Sequence, residues 1–235
     1  RMVDMLVKLD DSIIEIEPSF KIGIIHYTKI IVTSSPQMLK GRLQLFQEQL
    51  FFEMDDKPVN DFAGIKEWRA LWKKFGADPN RYRPSMEAMY RRIAKQNYIT
   101  PLHSAVDLNN FFSMQYEIPM GIYDVAKIQG ETNITIGTEE TTYVGLNGRD
   151  NTLKNIITLQ DEAGPFGSPF VDSARTAVTE DTTEALQIVF LRPSLKIEES
   201  KKLLESMASM FTQIHGGDFK TNILNTNFHT SKGEL

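Results

Sequence analysis

Residues 103–124 read HSAVDLNNFFSMQYEIPMGIYD, and the chain changes character within this stretch. Its first part predicts a helix from about His103 to Met114. After Pro119, short runs rich in β-branched and aromatic residues replace the helical pattern, separated by Gly, Asn and Asp. The stretch therefore divides a largely helical N-terminal half from a strand-rich C-terminal half.

The N-terminal half combines two predicted strands with three further predicted helices. Ser12 to Phe20 and Lys21 to Val32 are rich in Ile and Val with frequent alternation, which predicts strands. Apolar residues then recur at helical spacing in three segments, Leu39 to Leu50, Ile65 to Phe75 and Met86 to Lys95. Ser35 and Ser85 are predicted to cap the first and third of these helices, and Gly76 to end the second.

The C-terminal half contains short predicted strands and one long helix. Five segments have strand character: Tyr123 to Ile128, Thr132 to Ile136, Thr141 to Leu146, Asn155 to Leu159 and Ala185 to Leu191. A helix is predicted from Glu198 to Ile214, and Gly216-Gly217 ends it. Because no internal repeat or low-complexity linker interrupts the chain, we predict one α+β domain over residues 1–235. Its early helices pack on a mainly antiparallel sheet, and the long helix is C-terminal.

Composition limits the classes of function. The 235 residues carry a net charge of −5, the wrong sign for a general nucleic-acid binder, whose affinity comes from neutralising phosphates. The sequence has no cysteine, no apolar run long enough for a membrane helix and no secretory signal. These features predict a cytoplasmic protein that does not contact membranes. Its four histidines show no metal-ligand spacing, so neither a metal nor a cofactor is predicted.

One stretch of this acidic chain is locally basic. From Trp68 to Arg92 the sequence holds seven lysines and arginines against only Asp78 and Glu87. The residues predicted to contact RNA are Arg81, Tyr82, Arg83, Arg91 and Arg92, with the tyrosine stacking on a base. The alternative is a pair of solvated helices with scattered basic residues.

Two groups of motifs resemble a known family. WRALWKKFGADP at 68–79, RPSMEA at 83–88 and RRI at 91–93 resemble stand-alone proteins homologous to the tRNA-editing domain of the phenylalanyl-tRNA synthetase beta chain. AVDLNNFFS at 105–113 and IPMGIYD at 118–124 resemble a signature that those proteins share with the synthetase domain itself. The resemblance is strongest over residues 65–190.

The resemblance implies a tRNA-binding domain that recognises the aminoacylated 3′ end and clears mischarged amino acid from it. We therefore predict a trans-acting aminoacyl-tRNA deacylase, not a full synthetase, with tRNA rather than DNA as its partner and its oligomeric state open. Because fold does not carry activity, two alternatives remain. One is a non-catalytic tRNA or RNA binder, and the other is a sensor of a free amino acid or related metabolite.

Hydrolysis of an activated ester needs a positioned water and hydrogen-bond donors rather than a strong nucleophile. Asn109, Asn110 and Thr182 are predicted to supply these catalytic groups, and Ser113 lies one helical turn beyond Asn109 on the same face. Asp107 is instead predicted to tie down a helix end, which is also the alternative role for Asn109.

The Gly-rich segment GPFGSP at 164–169 is the predicted substrate loop, because glycines let backbone N–H groups approach a carboxylate or ester oxygen closely. Asp172 and Arg175 follow it, and their charges suit a substrate ammonium group and a phosphate. The alternative is a plain turn between strands. The predicted substrate-binding residues are Ser113, Gly121, Gly164, Gly167, Ser168, Asp172, Arg175 and Thr176.

Two positions depart from the synthetase pattern. There, the position of Gly121 is a histidine that lines the editing pocket, and a pocket glutamate falls near Ile188 or Val189 of this chain. In the synthetase these residues recognise tyrosine that is wrongly attached to the phenylalanine tRNA, so the resemblance implies that this chain lacks the residues for tyrosine. A pocket in this chain is expected to select a different amino acid or none.

Overall fold

Two four-stranded sheets, a two-stranded hairpin and six α-helices form the computed structural model, which describes residues 6–231. The strands are β1 (Val7–Leu9), β2 (Ile22–Thr28), β3 (Met120–Asp124), β4 (Thr132–Ile136), β5 (Thr142–Val144), β6 (Asp150–Thr152), β7 (Ile157–Asp161), β8 (Gly164–Gly167), β9 (Ala185–Val189) and β10 (Asp218–Leu224). The helices are α1 (Asp11–Ile16), α2 (Gln37–Asp56), α3 (Ala63–Lys74), α4 (Ser85–Ala94), α5 (Ser104–Tyr116) and α6 (Ile197–His215). The fold is α+β, as predicted.

The first sheet has the strand order β10-β2-β9-β3 and is antiparallel throughout. Helix α6 packs across β2 and β10, where Tyr27 and Phe211 stack with ring centroids 3.9 Å apart. Gly23 allows this close approach, because a Cβ at that position would lie 2.6 Å from the Leu204 side chain. The sheet is the frame on which helix α5 and the candidate site are mounted.

The second sheet has the order β1-β4-β7-β8, with β1 parallel to β4 and the other pairs antiparallel. A register shift between Leu159 and Gln160 bends β7 where β8 joins it. Strands β5 and β6 form a separate hairpin. The segment 168–184 leaves β8 and returns to β9, so it connects the two sheets.

Helices α2 to α5 surround an aromatic core. Trp68 and Trp72 are fully buried and meet edge to face with ring centroids 5.5 Å apart. Trp68 also meets Phe190, at a centroid distance of 6.2 Å, just beyond strand β9. The helical spacing of these aromatic residues in the sequence therefore corresponds to their packing in the core.

A buried carboxylate organises the loop between α3 and α4. Glu87 is fully buried, and Arg69 donates to both of its oxygens at 3.0 and 3.1 Å. Arg91 donates to it at 2.7 Å, and the Arg83 guanidinium lies 3.6 Å away. Arg69 also donates to the Pro79 carbonyl, which fixes the loop 78–84. Glu87 and its three arginine partners all belong to the motifs at 68–79, 83–88 and 91–93, so these motifs have a structural role.

The strand prediction for Ser12 to Phe20 is wrong. Asp10 accepts from the Ser12 backbone N–H and starts α1, so a capped helical turn overrides the β-branched composition. Of the strands predicted in the C-terminal half, Thr132–Ile136 has the predicted bounds, and those beginning at Thr141, Asn155 and Ala185 are present with shifted ends. The strand predicted for Tyr123 to Ile128 is wrong beyond Asp124, because the Asp124 side chain accepts from the Ala126 N–H and caps a 3₁₀ helix at Val125–Lys127. The sequence reading missed β1, β6, β8 and β10. The long helix is followed by β10, which adds an edge to the first sheet beside β2.

The predicted helix caps are partly wrong. Pro36 and Pro84 occupy the N-cap positions of α2 and α4, without side-chain capping bonds. Ser35 instead donates to Asp107, whose carboxylate also accepts from the Leu102 backbone N–H. Asp107 therefore ties down the start of α5, as predicted. Gly76 has φ +87° just after α3, which confirms its predicted role.

Candidate functional site

A small cavity lies between α5, β3 and the segment 172–178. Its volume is about 50 Å³, and its lining residues are Val106, Asn109, Ile122, Tyr123, Leu146, Asp172, Ser173, Ala177 and Val178. Leu146 is 62% exposed and lies at the cavity's outer edge. The segment 172–178 is held against β3 by a bridge between Tyr123 and Ala177 and by the Asp124 N–H, which donates to the Thr176 carbonyl. The cavity walls are therefore built on the first sheet.

The polar end of the cavity is a tyrosine–carboxylate pair. The Tyr123 hydroxyl donates to Asp172 Oδ1 at 2.6 Å, and the Ser168 N–H approaches the same oxygen at 3.4 Å. No basic side chain forms an ion pair with Asp172 among residues 6–231. Burial raises the pKa of Asp172 to about 7, although the bonds from Tyr123 and Ser168 favour the charged form. The cavity thus holds a carboxyl group that titrates near neutral pH.

Two glycines make room for this pair. A Cβ at Gly121 would lie 2.2 Å from the Tyr123 hydroxyl and 2.9 Å from Asp172 Oδ2. A Cβ at Gly167 would lie 2.5 Å from the same hydroxyl. Tyr123 therefore fills the space at the position where the synthetase pattern carries histidine, so a side chain cannot be added there without moving it.

Asn109 is held in place by a chain of buried amides. The Met120 carbonyl can only accept, so the Asn109 Nδ2 atom lies on that side, at 3.2 Å. Asn109 Oδ1 then accepts from Gln187 Nε2 at 2.9 Å, and the Gln187 Oε1 atom accepts from the Tyr27 hydroxyl at 2.8 Å. Each amide orientation follows from the first carbonyl. One N–H and one lone pair of Asn109 have no partner among residues 6–231, and Asn109 lines the cavity.

The Gln187→Leu variant is expected to lower the free energy of unfolding by about 2–4 kcal/mol, because the Tyr27 hydroxyl and Asn109 Oδ1 would be buried without partners. Urea unfolding of the variant and the parent chain measures this difference. Gln160→Leu, a half-buried glutamine on β7, is the matched control and is expected to change stability by less than about 0.5 kcal/mol. Equal losses in the two variants would contradict the role assigned to the amide chain.

The structure brings together only part of the predicted substrate site. Asn109 and Asp172 line the cavity, and Gly121, Gly167 and Ser168 border the Tyr123–Asp172 pair. Asn110 lies next to this group in sequence but does not line the cavity, and its partly exposed side chain forms no hydrogen bond with the described residues. The functions predicted for these residues remain predictions.

Three other predicted catalytic and substrate-binding residues have their hydroxyls away from the cavity. The Ser113 hydroxyl donates to the Ile118 carbonyl at 2.6 Å, and Thr182 donates to Asp124 at 2.7 Å. Thr176 is fully buried, and its hydroxyl has no partner among the described residues. These hydroxyls lie outside the cavity lining.

Arg175 forms a two-pronged ion pair away from the cavity. Its guanidinium donates to the two Asp161 oxygens at 3.0 and 2.7 Å and to the Gly164 carbonyl at 3.1 Å. Burial alone would raise the pKa of Asp161, but hydrogen bonds from Arg175 and two backbone N–H groups hold it below its ordinary value. The pair fixes the turn between β7 and β8, so Arg175 does not offer a free guanidinium for a phosphate.

The predicted RNA-binding residues form two groups. Arg83 and Arg91 face Glu87, so their charges are partly balanced. Arg81 and Arg92 are exposed and pair with no carboxylate among the described residues. Tyr82 is half-buried and meets Phe170 edge to face at 5.3 Å. Arg81 and Arg92 are therefore the two that remain available to phosphates.

Sequence reasoning missed Tyr123 and Gln187. The signal for Tyr123 was present, since it lies two residues after Gly121 on the same strand and hence on the same face of the sheet. Gln187 is a polar residue in the middle of the apolar strand β9, and such a residue needs a buried partner. Neither signal identifies Asp172 or Asn109 as the neighbour.

The other candidate sites of the described residues contain none of the predicted site residues or have a structural role. Among residues 6–231, no group of three or more His, Asp or Glu side chains is arranged to hold a metal ion, and no helix could cross a membrane. His103 accepts from the Val106 N–H and donates to the Val178 carbonyl, which makes it structural, as expected. A larger groove of about 770 Å³ between α6 and β10 contains none of the predicted site residues.

The fold and the cavity define an α+β domain with a small pocket beside its first sheet, mostly apolar and with a polar end at Tyr123 and Asp172. The chain belongs to the B3/4 domain family, whose profile matches residues 67–213. This range contains α5, β3, Leu146 and the segment 172–178, and thus every residue of the cavity lining.

Two relatives differ in how much of their own length matches this chain. The chain is 36% identical over 213 residues to the uncharacterized protein YhzB of Bacillus subtilis (strain 168), covering 91% of this chain and 96% of that protein. It is 30% identical over 108 residues to the phenylalanine–tRNA ligase beta subunit of Paramagnetospirillum magneticum (strain ATCC 700264 / AMB-1), covering 45% of this chain. The matched region is only 14% of that ligase subunit. The family relationship therefore includes a protein of similar extent and one part of a much larger protein.

A solved structure also matches the chain. It is an N-terminal fragment of the phenylalanyl-tRNA synthetase beta subunit from Pyrococcus horikoshii, with a TM-score of 0.48 and 16% sequence identity. The match covers 93% of this chain and 51% of that chain.

Proposed function

We propose that this protein binds the aminoacylated 3′ end of a tRNA in the cavity and releases a mischarged amino acid by ester hydrolysis. The observation that carries the proposal is that one cavity is lined both by Asn109, whose amide is held in a fixed orientation, and by Asp172, a carboxyl group without an ion pair among the described residues. The relationship to phenylalanine–tRNA ligase beta subunits supports tRNA as the partner.

Each polar group of the cavity has a defined part in this proposal. The Asp172 carboxylate binds the α-ammonium group of the esterified amino acid, which compensates its charge. The free N–H of Asn109 donates to the ester carbonyl oxygen, where negative charge develops during attack. The water oxygen bonds to the carbonyl carbon, the bond from that carbon to the ribose oxygen breaks, and the ribose oxygen takes up one of the two protons of the water. The products are a free amino acid and uncharged tRNA.

The size of the cavity limits the substrate. A volume of about 50 Å³ is close to that of one or two water molecules, so only the α-ammonium group and a small side chain of the esterified amino acid enter the cavity and the ribose stays outside it. Tyr123 fills the space beside Gly121, so the cavity cannot deepen on that side. The site is therefore proposed to select amino acids with small side chains. The tRNA phosphates are proposed to contact Arg81 and Arg92.

A deacylation screen tests this function. Purified protein is incubated with tRNAs that carry small and large amino acids, matched and mismatched. Release above the spontaneous rate is expected for small amino acids only, and we expect Asp172→Asn to reduce it at least about 100-fold. Asp181→Asn, which removes an exposed carboxylate in the same segment, is the matched control and should keep full activity. No release from any charged tRNA would overturn the hydrolase proposal.

A non-catalytic tRNA binder is the second candidate. It is favoured by the engagement of Thr182 and Ser113 in structural hydrogen bonds, which leaves few groups to position a water molecule. In this case tRNA binds without turnover, and its affinity falls steeply with salt because counterions are released. Arg92→Ala should reduce the slope of that salt dependence by about one.

A sensor of a free amino acid is the third candidate. The net charge of −5 and the balancing of Arg83 and Arg91 by Glu87 favour it, because binding a small molecule needs no phosphate neutralisation. Calorimetric binding of a small free amino acid, lost in Asp172→Asn and accompanied by no tRNA affinity at low salt, would support the sensor over both tRNA-binding candidates.

A further inference from the structure

We propose that two copies of this chain associate through the exposed face of helix α2, with the two helices antiparallel. The evidence is an apolar stripe, a neighbouring groove and an opposite distribution of charge along the helix. The inference is independent of the proposed function, because α2 contributes no residue to the cavity.

The stripe consists of three large apolar side chains. Met38, Leu45 and Phe52 are 78%, 54% and 72% exposed. They recur every seven residues, so they lie on one side of the helix, over a length of about 21 Å. The opposite side of α2 buries Leu39, Leu43 and Leu50 in the core, so the helix is apolar on two faces. A helix of this kind normally has a partner on its second face.

A groove beside the stripe can receive a side chain. It lies between α2 and α6, has a volume of about 400 Å³, and is lined by Met38, Arg42, Ser206, Ser209, Met210, Gln213 and Ile214. If a two-fold axis passes near Leu45, Phe52 of the second copy lies beside Met38 and this groove. The same contact is then made twice, as a two-fold interface requires.

Gly41 lies on the same face of α2 as Leu45, and it leaves that part of the face without a side chain. It is exposed, and a Cβ built on it would meet no atom within 4 Å. A glycine in a helix interior costs about 0.5–1 kcal/mol relative to alanine, and here no neighbour among residues 6–231 requires it. Its absence of a side chain allows a second helix to approach closely.

The charges select the second copy and its orientation. The half of α2 from residue 37 to residue 47 has no acidic residue and carries the exposed Arg42 beside the stripe, whereas Lys40 lies on the opposite, half-buried side of the helix. The half from 48 to 56 carries four acidic residues and no basic one, namely Glu48, Glu53, Asp55 and Asp56. Antiparallel pairing places the basic half of each copy against the acidic half of the other and also opposes the helix dipoles. Parallel pairing would set like charges together.

Sedimentation velocity of the full chain tests the association. We expect a dimer that forms between about 1 and about 200 µM, and at least about tenfold weaker association in the Leu45→Glu variant. Val144→Glu, which changes an exposed apolar residue on the hairpin, is the matched control and should not weaken it. A chain that stays monomeric over this range, as it would if tRNA or another protein covered the stripe, overturns the proposal.

Cysteine cross-linking tests the orientation, since the chain contains no cysteine. Leu45→Cys is expected to form a disulfide-linked dimer under mild oxidation, whereas Val144→Cys is not. A mixture of Met38→Cys and Phe52→Cys should cross-link the two variants to each other, and each variant alone should give little product. Equal cross-linking of Leu45→Cys and Val144→Cys, or preferential linking of Met38→Cys to itself, would refute the antiparallel dimer.

Discussion

Glu87→Gln is expected to lower the free energy of unfolding by about 3–5 kcal/mol, the range found when one partner of a buried ion pair is removed. Glu87 is fully buried and contacts Arg69, Arg91 and Arg83. Glutamine retains the shape of the side chain but removes the negative charge. Its amide NH₂ would face guanidinium groups, and neither group can accept a hydrogen bond. Arg69, only 13% exposed, would keep its charge without a compensating carboxylate. Urea unfolding measures the loss.

The control for this experiment is Glu139→Gln. Glu139 also pairs with a basic residue, Lys154, but its side chain is 80% exposed. An exposed pair of this kind contributes little, so the expected change is below about 0.5 kcal/mol. A second readout is the loop 78–84, which Arg69 holds through the Pro79 carbonyl and which should become more sensitive to protease in Glu87→Gln. Similar stability losses in the two variants would show that burial does not set the importance of Glu87.

Asp172→Asn is expected to make the protein more stable at pH 8 by about 2–4 kcal/mol while abolishing ligand binding. The pKa of Asp172 is about 7 in the folded protein, above its ordinary value of 3.8, because burial disfavours the charged form. The folded chain therefore retains a proton that the unfolded chain releases. This contribution is fully present below about pH 4 and is lost as the pH rises to about 7. Asparagine does not ionise, and its oxygen can accept from Tyr123 as Asp172 does.

The pH dependence distinguishes this effect from a general gain in packing. The stability difference between Asp172→Asn and the parent chain should be small near pH 4 and should grow between pH 4 and 7. Asp181→Asn, which changes an exposed carboxylate, should show no such growth. A difference that is constant with pH would contradict the assigned titration. Greater stability together with lost binding is the expected result where a site retains a strained charge for function.

The elements that the sequence predicted well are those whose local pattern and tertiary environment agree. The three apolar helices from Leu39 onward and the helix from Glu198 were found because each buries one face with helical spacing. Strand β8 was missed because Gly164 and Gly167 have the composition of a turn, and only pairing with β7 makes the segment a strand. Strand β10 was missed because its pattern is weak, and its place is fixed by β2.

The candidate site could be predicted only in part, for a related reason. The motifs predicted Asn109, Gly121 and the segment around Asp172 as site residues, and all of them lie at the cavity or its border. Their spacing could not show that Tyr123 fills the place beside Gly121, or that Gln187 orients Asn109. Nor could the spacing show that the Arg175 guanidinium is paired with Asp161. These facts depend on side chains that are distant in sequence, and a free polar group cannot be told from a satisfied one without its partners.

By itself, the sequence determined the α+β class, the helices with strong apolar periodicity and membership of a recognisable family, because each of these follows from local pattern. Tertiary structure alone decided the rest. It converted the arginine-rich motifs from a free basic surface into a network around Glu87. It also reduced the predicted pocket to a cavity of about 50 Å³ with Asp172 at its polar end. Burial and pairing set the energy of charged and polar groups, and both are properties of the folded chain.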